Sequence, residues 1–240
     1  MPKVLITGSG RRLGRQLALG FARKGWDVAI HYGSSEESAA KTVRDIESVG
    51  VKAVMVRADL RNSEEVAAAF AKVCEEFGEI DVLINNAGLL PKRNALDETK
   101  EADWDEVMDI NLKAAFLCSK EFLNIKAEQA RIINIACIGG NEVWQRQIVY
   151  NISKGGLLHL TKVLARDLAP EVAVNSVSPG VIDIREEPSD LVYEIDPKRI
   201  PMQKYGTAED IFEACWFFAT CSRYFTGQNI AVDGGFSLVK

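Results

Sequence analysis

Lys3-Val4-Leu5-Ile6-Thr7-Gly8-Ser9-Gly10-Arg11-Arg12-Leu13-Gly14 starts as an apolar run and passes through three glycines in seven residues. Beyond it, Leu13, Leu17 and Phe21 recur at helical spacing as far as Gly25. Strand, glycine turn and helix in that order aim the first amides of a helix at whatever lies past the strand end, and those amides suit a phosphate. The same order also joins strand to helix in other α/β proteins. Taken alone, the turn leaves a phosphate site and a plain connection equally open.

Moving outward, residues 27–32 (Asp-Val-Ala-Ile-His-Tyr) read as a second strand, ended by Gly33-Ser34-Ser35. If the turn holds a nicotinamide dinucleotide, this strand end distinguishes its two forms. An acidic residue there accepts from the adenine ribose hydroxyls, whereas small polar and basic residues leave room and donors for a 2′-phosphate. Tyr32, Ser34 and Ser35 carry no carboxylate, and Arg11 and Arg12 lie on the neighbouring turn. Glu36 and Glu37 suit the start of the next helix, where its dipole favours them. NADP(H) is therefore expected over NAD(H).

The alternation continues to the end of the chain. A helix to about residue 49 leads to a strand over 52–57, then Asp59-Leu60. A helix over 63–77 has Ser63 as its expected N-cap. A strand over 80–84 runs into Asn85-Asn86-Ala87-Gly88, followed by a long helix from about 102 to 129 that contains Asn111. Next come a strand over 131–136, Gly139-Gly140, a helix to about 168, and a strand over 172–177 ending at Ser178-Pro179-Gly180. A polar, proline-punctuated segment over 181–204 precedes a helix from about 208 and a last strand over 228–232. Such alternation predicts one α/β unit over 1–240: a single doubly wound parallel sheet, Rossmann-like, with helices on both faces.

The totals narrow the function. At 240 residues, 47% hydrophobic and 26% charged, the composition is that of a soluble globular domain. A net charge of −5 and a pI near 5.3 argue against nucleic acid or an anionic membrane as the main partner. No apolar run approaches a membrane span. The apolar strand begins at once, with no secretory signal before it. The five cysteines show no metal-ligand spacing and read as thiols of a reducing cytoplasm.

Tyr150-Asn151-Ile152-Ser153-Lys154 supplies candidate chemistry. On a helix, Tyr150 and Lys154 share one face. An ammonium one turn away favours the phenolate, which makes the phenol a better acid than its ordinary pKa of about 10 allows. Such a pair can move a proton on and off an oxygen while a hydride moves elsewhere. The spacing alone is weak, since any long helix can contain it.

Several motifs in register strengthen it. Thr7-Gly8 with Gly14, Asp59-Leu60, Asn85-Asn86-Ala87-Gly88, Asn111, Tyr150 with Lys154, Pro179-Gly180 and Val232-Asp233-Gly234-Gly235 resemble, from end to end, the short-chain dehydrogenase/reductase family. That resemblance implies that Gly8, Ser9, Arg11, Arg12, Leu13 and Gly14 wrap a pyrophosphate, and that Asp59 and Leu60 touch the adenine. It also implies that Asn86, Ala87 and Gly88 line the ribose and nicotinamide side, and that Pro179, Gly180 and Ile182 flank the nicotinamide. Tyr150 would be the acid, Lys154 would lower its pKa, and Asn111 would hold a water in a proton relay. The 181–204 segment would be a mobile substrate lid. A cytoplasmic homodimer or homotetramer would assemble through the helices around 101–129 and 148–168.

Three departures stand out. Arg12 replaces a family glycine and, with His31-Tyr32 and Ser34-Ser35, resembles the NADPH-dependent pteridine-reductase branch. Cys137, thirteen residues before Tyr150, occupies the position of the family's catalytic serine. Ile184 replaces a threonine that would hold the nicotinamide amide. Leu90 stands where that branch places a stacking aromatic, and Trp144 is the aromatic placed to enter the pocket; packing on the surface is its equal alternative. His31 is expected to be structural, although near the adenine end. His159, nine residues past Tyr150, falls on the opposite helix face, and Ser153 has no histidine to activate it.

The expected activity is NADPH-dependent reduction of a carbonyl or pterin-like small molecule. The alternatives are a 3-oxoacyl carrier-protein reductase, or a weakly catalytic NADPH-binding sensor.

Overall fold

Apolar strand residues alternate between two cores, as the period of two in a strand requires. Val4, Ile6, Val28, Ile30, Val82, Ile84, Ile133 and Ile135 point to one core, beneath Leu17, Phe21 and Phe212. Leu5, Ala29, Leu83, Ile132 and Val174 point to the other, against Phe70, Phe77 and Phe122. A sheet apolar on both faces needs helices on both, and the computed structural model, which describes residues 1–184 and 195–239, has them.

The elements are β1 (Lys3–Ile6), α1 (Arg12–Arg23), β2 (Asp27–Tyr32), α2 (Glu36–Glu47), β3 (Ala53–Arg57), α3 (Ser63–Phe77) and β4 (Ile80–Asn85). They continue as α4 (Glu101–Met108), α5 (Ala114–Phe122), β5 (Lys126–Ile135), α6 (Ile148–Asp167) and β6 (Val172–Pro179). The described chain ends with β7 (Ile182–Asp183), β8 (Gly206–Thr207), α7 (Ala208–Thr220) and β9 (Asn229–Val232). β7 and β8 pair with each other in a two-stranded sheet. The other seven strands form one parallel sheet in the order β3-β2-β1-β4-β5-β6-β9. The chain reverses direction of growth between β1 and β4, so a crevice opens beyond the carboxyl ends of those strands.

Local physics explains the particular elements. α1 buries Leu17, Ala18, Phe21 and Ala22, and Phe21 meets the Phe212 ring edge-on at 5.4 Å. Such ring pairs add about 0.5–1.5 kcal/mol beyond the area they bury. Thr207 and Asp210 cap α7 reciprocally. At the lower end of the crevice a buried network crosses the sheet. The Asn85 amide donates to Asn134 Oδ1 (2.9 Å) and Ser119 Oγ (3.2 Å), and the Asn134 amide donates to Thr161 Oγ1 (2.9 Å). It ties β4 and β5 to α5 and α6, which fixes α6 against the strand ends.

Three expectations need correction. The helix expected to reach residue 129 ends at Phe122, and β5 begins at Lys126. The first residues of β5 are polar and partly exposed, because beside them the pairing with β4 skips from Ile80 to Val82. Polar residues there hid the strand. The N-cap of α3 is Asn62, whose side chain accepts from the amides of Glu64 and Glu65; Ser63 is the first helical residue. The 181–204 stretch is not wholly irregular, since β7 and a short 3-10 turn at Pro197–Arg199 lie within it. Residues 185–194 of the expected lid lie outside the described residues.

Candidate active site

At the end of β1 the backbone turns tightly. Thr7 Oγ1 accepts from the amides of Asn86 and Ala87 (both 3.0 Å), and the Asn86 side-chain amide donates to the carbonyls of Thr7 (2.9 Å) and Gly8 (3.0 Å). Gly14 closes this turn from the α1 side. A Cβ there would lie 2.3 Å from the Gly8 carbonyl and 2.6 Å from Asn86 Nδ2, so no other residue fits without moving backbone. Ser9 is fully buried, with its hydroxyl on the Ile6 carbonyl at 2.7 Å, and holds the turn from beneath. Arg11, Arg12 and Leu13 start α1, which has no capping side chain and no acidic residue in its first turn. Among the described residues no side chain caps these amides. Arg12 keeps a left-handed backbone (φ 51°) where the family pattern has glycine.

The ends of β2 and β3 lie side by side. Tyr32 is buried, Ser34 and Ser35 are on the surface beyond it, and Tyr32 is in register with Arg57. Arg57 Nε donates to the Gly33 carbonyl at 3.3 Å, which brings a guanidinium beside Ser34 and Ser35. Reading along the chain missed this residue; strand pairing is what reveals it. Asp59 is held by Arg61 through Nε (2.9 and 3.0 Å) and Nη2 (2.6 Å), which keeps its carboxyl below the usual carboxylate range. Leu60 is buried beside it.

Tyr150 and Lys154 lie one turn apart on α6, both with less than a tenth of their surface exposed. The Lys154 ammonium donates to the Ile135 carbonyl at 2.9 Å and stands 6.0 Å from the Tyr150 ring centre. A Cβ on Gly88 would come within 3.4 Å of both Lys154 Nζ and Asn111 Oδ1, so the bare glycine leaves that space clear. Asn111 is on a π-helical turn, Asp109–Lys113, between α4 and α5. Its amide brackets Leu89, accepting from the Leu89 amide (2.7 Å) and donating to the Leu89 carbonyl (2.9 Å) and to Ser153 Oγ (3.1 Å). Ser153 in turn donates to the Tyr150 carbonyl at 2.8 Å, which makes it a brace rather than a nucleophile. His159 is exposed on the far side of the helix.

Cys137 follows β5, packed with Ile138 and Tyr150 against Trp144 and Phe236. The Trp144 ring stacks on that of Tyr150, centres 6.1 Å apart and planes 19° apart, and its carbonyl accepts from the Asn151 side-chain amide at 2.8 Å. Trp144 therefore borders the phenol. Beside it is a cavity of about 300 Å³ lined by Arg93, Val143, Gln145, Ile195, Arg199 and Phe236 as well. Leu90 is half exposed. Pro179 ends β6, and the Gly180 amide donates to the Val232 carbonyl at 2.9 Å. Ile182 is buried in β7, and Ile184 packs on the core near α1.

The electrostatics of the pair run opposite to expectation. Burial pushes the Tyr150 phenol well above its ordinary pKa, and Cys137, by its charge and its hydrogen bond to the phenol, adds to the rise. Burial lowers Lys154 to about 8, opposed by attraction to Cys137. Helical spacing alone predicts a phenol made acidic by its lysine. Loss of water outweighs that help when both groups are buried and 6.0 Å separates charge from ring. Cys137→Ser should therefore leave turnover unchanged or raise it, by up to about tenfold, because a hydroxyl is the stronger donor. Removing the sulfur should also move the phenol's pH dependence downward, which a pH–rate profile reads. A sharp loss of turnover would show that the thiol has chemistry of its own.

A family model described as Enoyl-(Acyl carrier protein) reductase matches residues 8–237. The 3-oxoacyl-[acyl-carrier-protein] reductase FabG of Staphylococcus aureus (strain N315) is 37% identical over 237 residues, 96% of each chain. An oxidoreductase of Escherichia coli (strain K12), YohF, is 35% identical over 244 residues, 98% of this chain and 96% of that one. A short chain dehydrogenase from Burkholderia cenocepacia J2315, solved in complex with NADP, superposes with a TM-score of 0.91 at 32% identity, covering 98% of both chains.

Proposed function

The chain belongs to the short-chain dehydrogenase/reductase family, and from that membership we propose that it is an NADPH-dependent reductase of a small carbonyl compound, with Tyr150 as the proton donor. One observation carries the reading. The buried Lys154 and Asn111 converge on the cleared space at Gly88, with the buried Tyr150 ring 6.0 Å from the Lys154 ammonium, directly beyond the switch in strand order.

The residues present fit a phosphorylated dinucleotide. The α1 N-terminus has no capping side chain and no acidic residue in its first turn, and Gly14 leaves the turn tight enough for its backbone to approach a pyrophosphate. Ser34, Ser35 and Arg57 offer donors and charge for a 2′-phosphate, and the Burkholderia relative was solved with NADP. The reduced nicotinamide supplies the hydride. Lys154 spends one of its three protons on the Ile135 carbonyl, leaving two for a ribose hydroxyl or water. Asn111 holds the Gly88–Leu89 backbone in place beside that ammonium. A phenol raised above its ordinary pKa stays protonated at neutral pH, which suits reduction, since the oxidative direction would need the phenolate.

Two substrate classes come first. The names of the relatives point to a β-ketoacyl thioester. Arg12 and the Trp144 ring beside Tyr150 favour a flat, oxidised pterin, as in the pteridine-reductase branch. Assembly as a dimer or tetramer remains part of this proposal. Mixing the protein with NADPH and a panel of ketones, quinones, a β-ketoacyl thioester and oxidised pterins, and following absorbance, tests the activity. Turnover with a carbonyl or pterin is the expected result. Tight NADPH binding with no reaction across the panel would replace the enzyme by the sensor.

A further inference from the structure

His31 makes two hydrogen bonds that span the dinucleotide end of the crevice. Its Nδ1 lies 3.0 Å from the Gly8 amide and its Nε2 lies 3.0 Å from the Ala58 carbonyl. The backbone amide can only donate, so Nδ1 carries the lone pair and Nε2 carries the proton. One neutral tautomer satisfies both partners. The ring is almost fully buried, with 5% of its surface exposed.

The two partners matter because of where they are. Gly8 is the first glycine of the β1–α1 turn and adopts a left-handed backbone (φ 63°). On its other side, a Cβ would be 2.9 Å from Ala87 Cα, so the residue is confined between the β4 end and the histidine. Ala58 follows β3 directly and precedes Asp59 and Leu60. Ser9 completes the link, donating its amide to the His31 carbonyl at 2.9 Å. One imidazole thus joins the phosphate turn to the β3 end.

We propose that His31 is a positioning residue for the dinucleotide, and that its neutral form holds the phosphate turn in the conformation that binds. This rests on the dinucleotide reading above. Protonation would present Nδ1–H to the Gly8 N–H, donor against donor, and release the turn. The titratable groups facing the ring come from the β3–α3 side: Asp59, with Arg61 clasping it and Glu65 accepting from its amide at 2.8 Å. The β1 and β4 ends present Gly8 and Ala87, which do not titrate. Burial lowers the imidazole below its ordinary range, against the pull of Asp59. The neutral form therefore persists at neutral pH, and proton uptake belongs on the acid side of about 6.5.

The test is NADP⁺ affinity by calorimetry between pH 5 and 8 for wild type, His31→Asn and His31→Ala, with circular dichroism to confirm folding. The 2′-phosphate of the ligand itself titrates near pH 6, so the variants are the decisive arm. Asparagine keeps an acceptor for the Gly8 amide in the place of Nδ1 and does not titrate. Expected is a wild-type affinity that falls more steeply toward pH 5 than that of His31→Asn, with the two within about threefold at pH 8. His31→Ala should bind about tenfold more weakly at pH 8. Identical pH profiles for wild type and His31→Asn would overturn the positioning role, whatever His31→Ala does. Failure of folded wild-type protein to bind NADP⁺ at any pH would instead overturn the dinucleotide reading, and this inference with it.

Discussion

Replacing Tyr150 by phenylalanine is expected to lower kcat by about 10²- to 10⁴-fold, the usual range for removing a positioned proton donor. Affinity for NADPH should stay within about threefold of wild type. The substitution keeps the ring stacked on Trp144 and removes only the hydroxyl. Steady-state rates and a separate binding titration check both halves. Full activity in the variant would show that the proton comes from elsewhere. Loss of binding together with turnover would show that the phenol acts on the dinucleotide and not on the substrate.

Lys154→Met should produce a pairing of effects that few substitutions give: loss of turnover with a gain in stability. The ammonium is buried, and its pKa falls from 10.5 to about 8. A lowered lysine pKa means that folding penalises the charged form. Below about pH 8 both folded and unfolded chains carry the proton, and the penalty is fully present. As the pH rises from 8 toward 10.5, the folded chain loses its proton while the unfolded chain keeps it, so the wild type gains stability. Methionine removes the penalty at every pH. At about 1.4 kcal/mol per unit, less about 1 kcal/mol for the hydrogen bond to Ile135, the variant should gain roughly 2 kcal/mol at pH 7. That corresponds to a Tm increase of about 4–8 °C. Thermal unfolding at pH 7 and pH 9.5 tests it. The gap between variant and wild type should narrow at the higher pH; a lower Tm at pH 7 would mean that the ammonium stabilises the fold.

The parallel sheet was legible because its strands are short apolar runs separated by amphipathic helices, a pattern that survives without tertiary knowledge. β5 blurred where its first residues are polar, since hydrophobic periodicity is silent on a stretch where the pairing with its neighbour shifts register. Tyr150 and Lys154 were readable from spacing, and Asn111 from the family resemblance. Their electrostatics were not, because spacing reports proximity and says nothing of how much water each group has lost. Arg57 was invisible for another reason: it reaches Gly33 across a strand pair, and register is not written along the chain. His31 looked merely structural until both of its ring nitrogens were seen to be engaged.

The wide turn at Asp109–Lys113 has a consequence for which sequence changes this enzyme can tolerate. A π turn amounts to one residue inserted into an α-helix, accommodated by a bulge. Deleting a residue there would let α4 and α5 fuse into a continuous helix with better local hydrogen bonding. Because the bulge absorbs the surplus residue, the flanking helices would keep their phase, and only the residues of the turn itself would move. Asn111, which sits in that turn, would leave Leu89 and Ser153, while the apolar face of α5 would stay against Phe70 and Ile132. Length changes here should thus be rejected even where point substitutions are accepted, and the surplus residue behaves as a fixed part of the site.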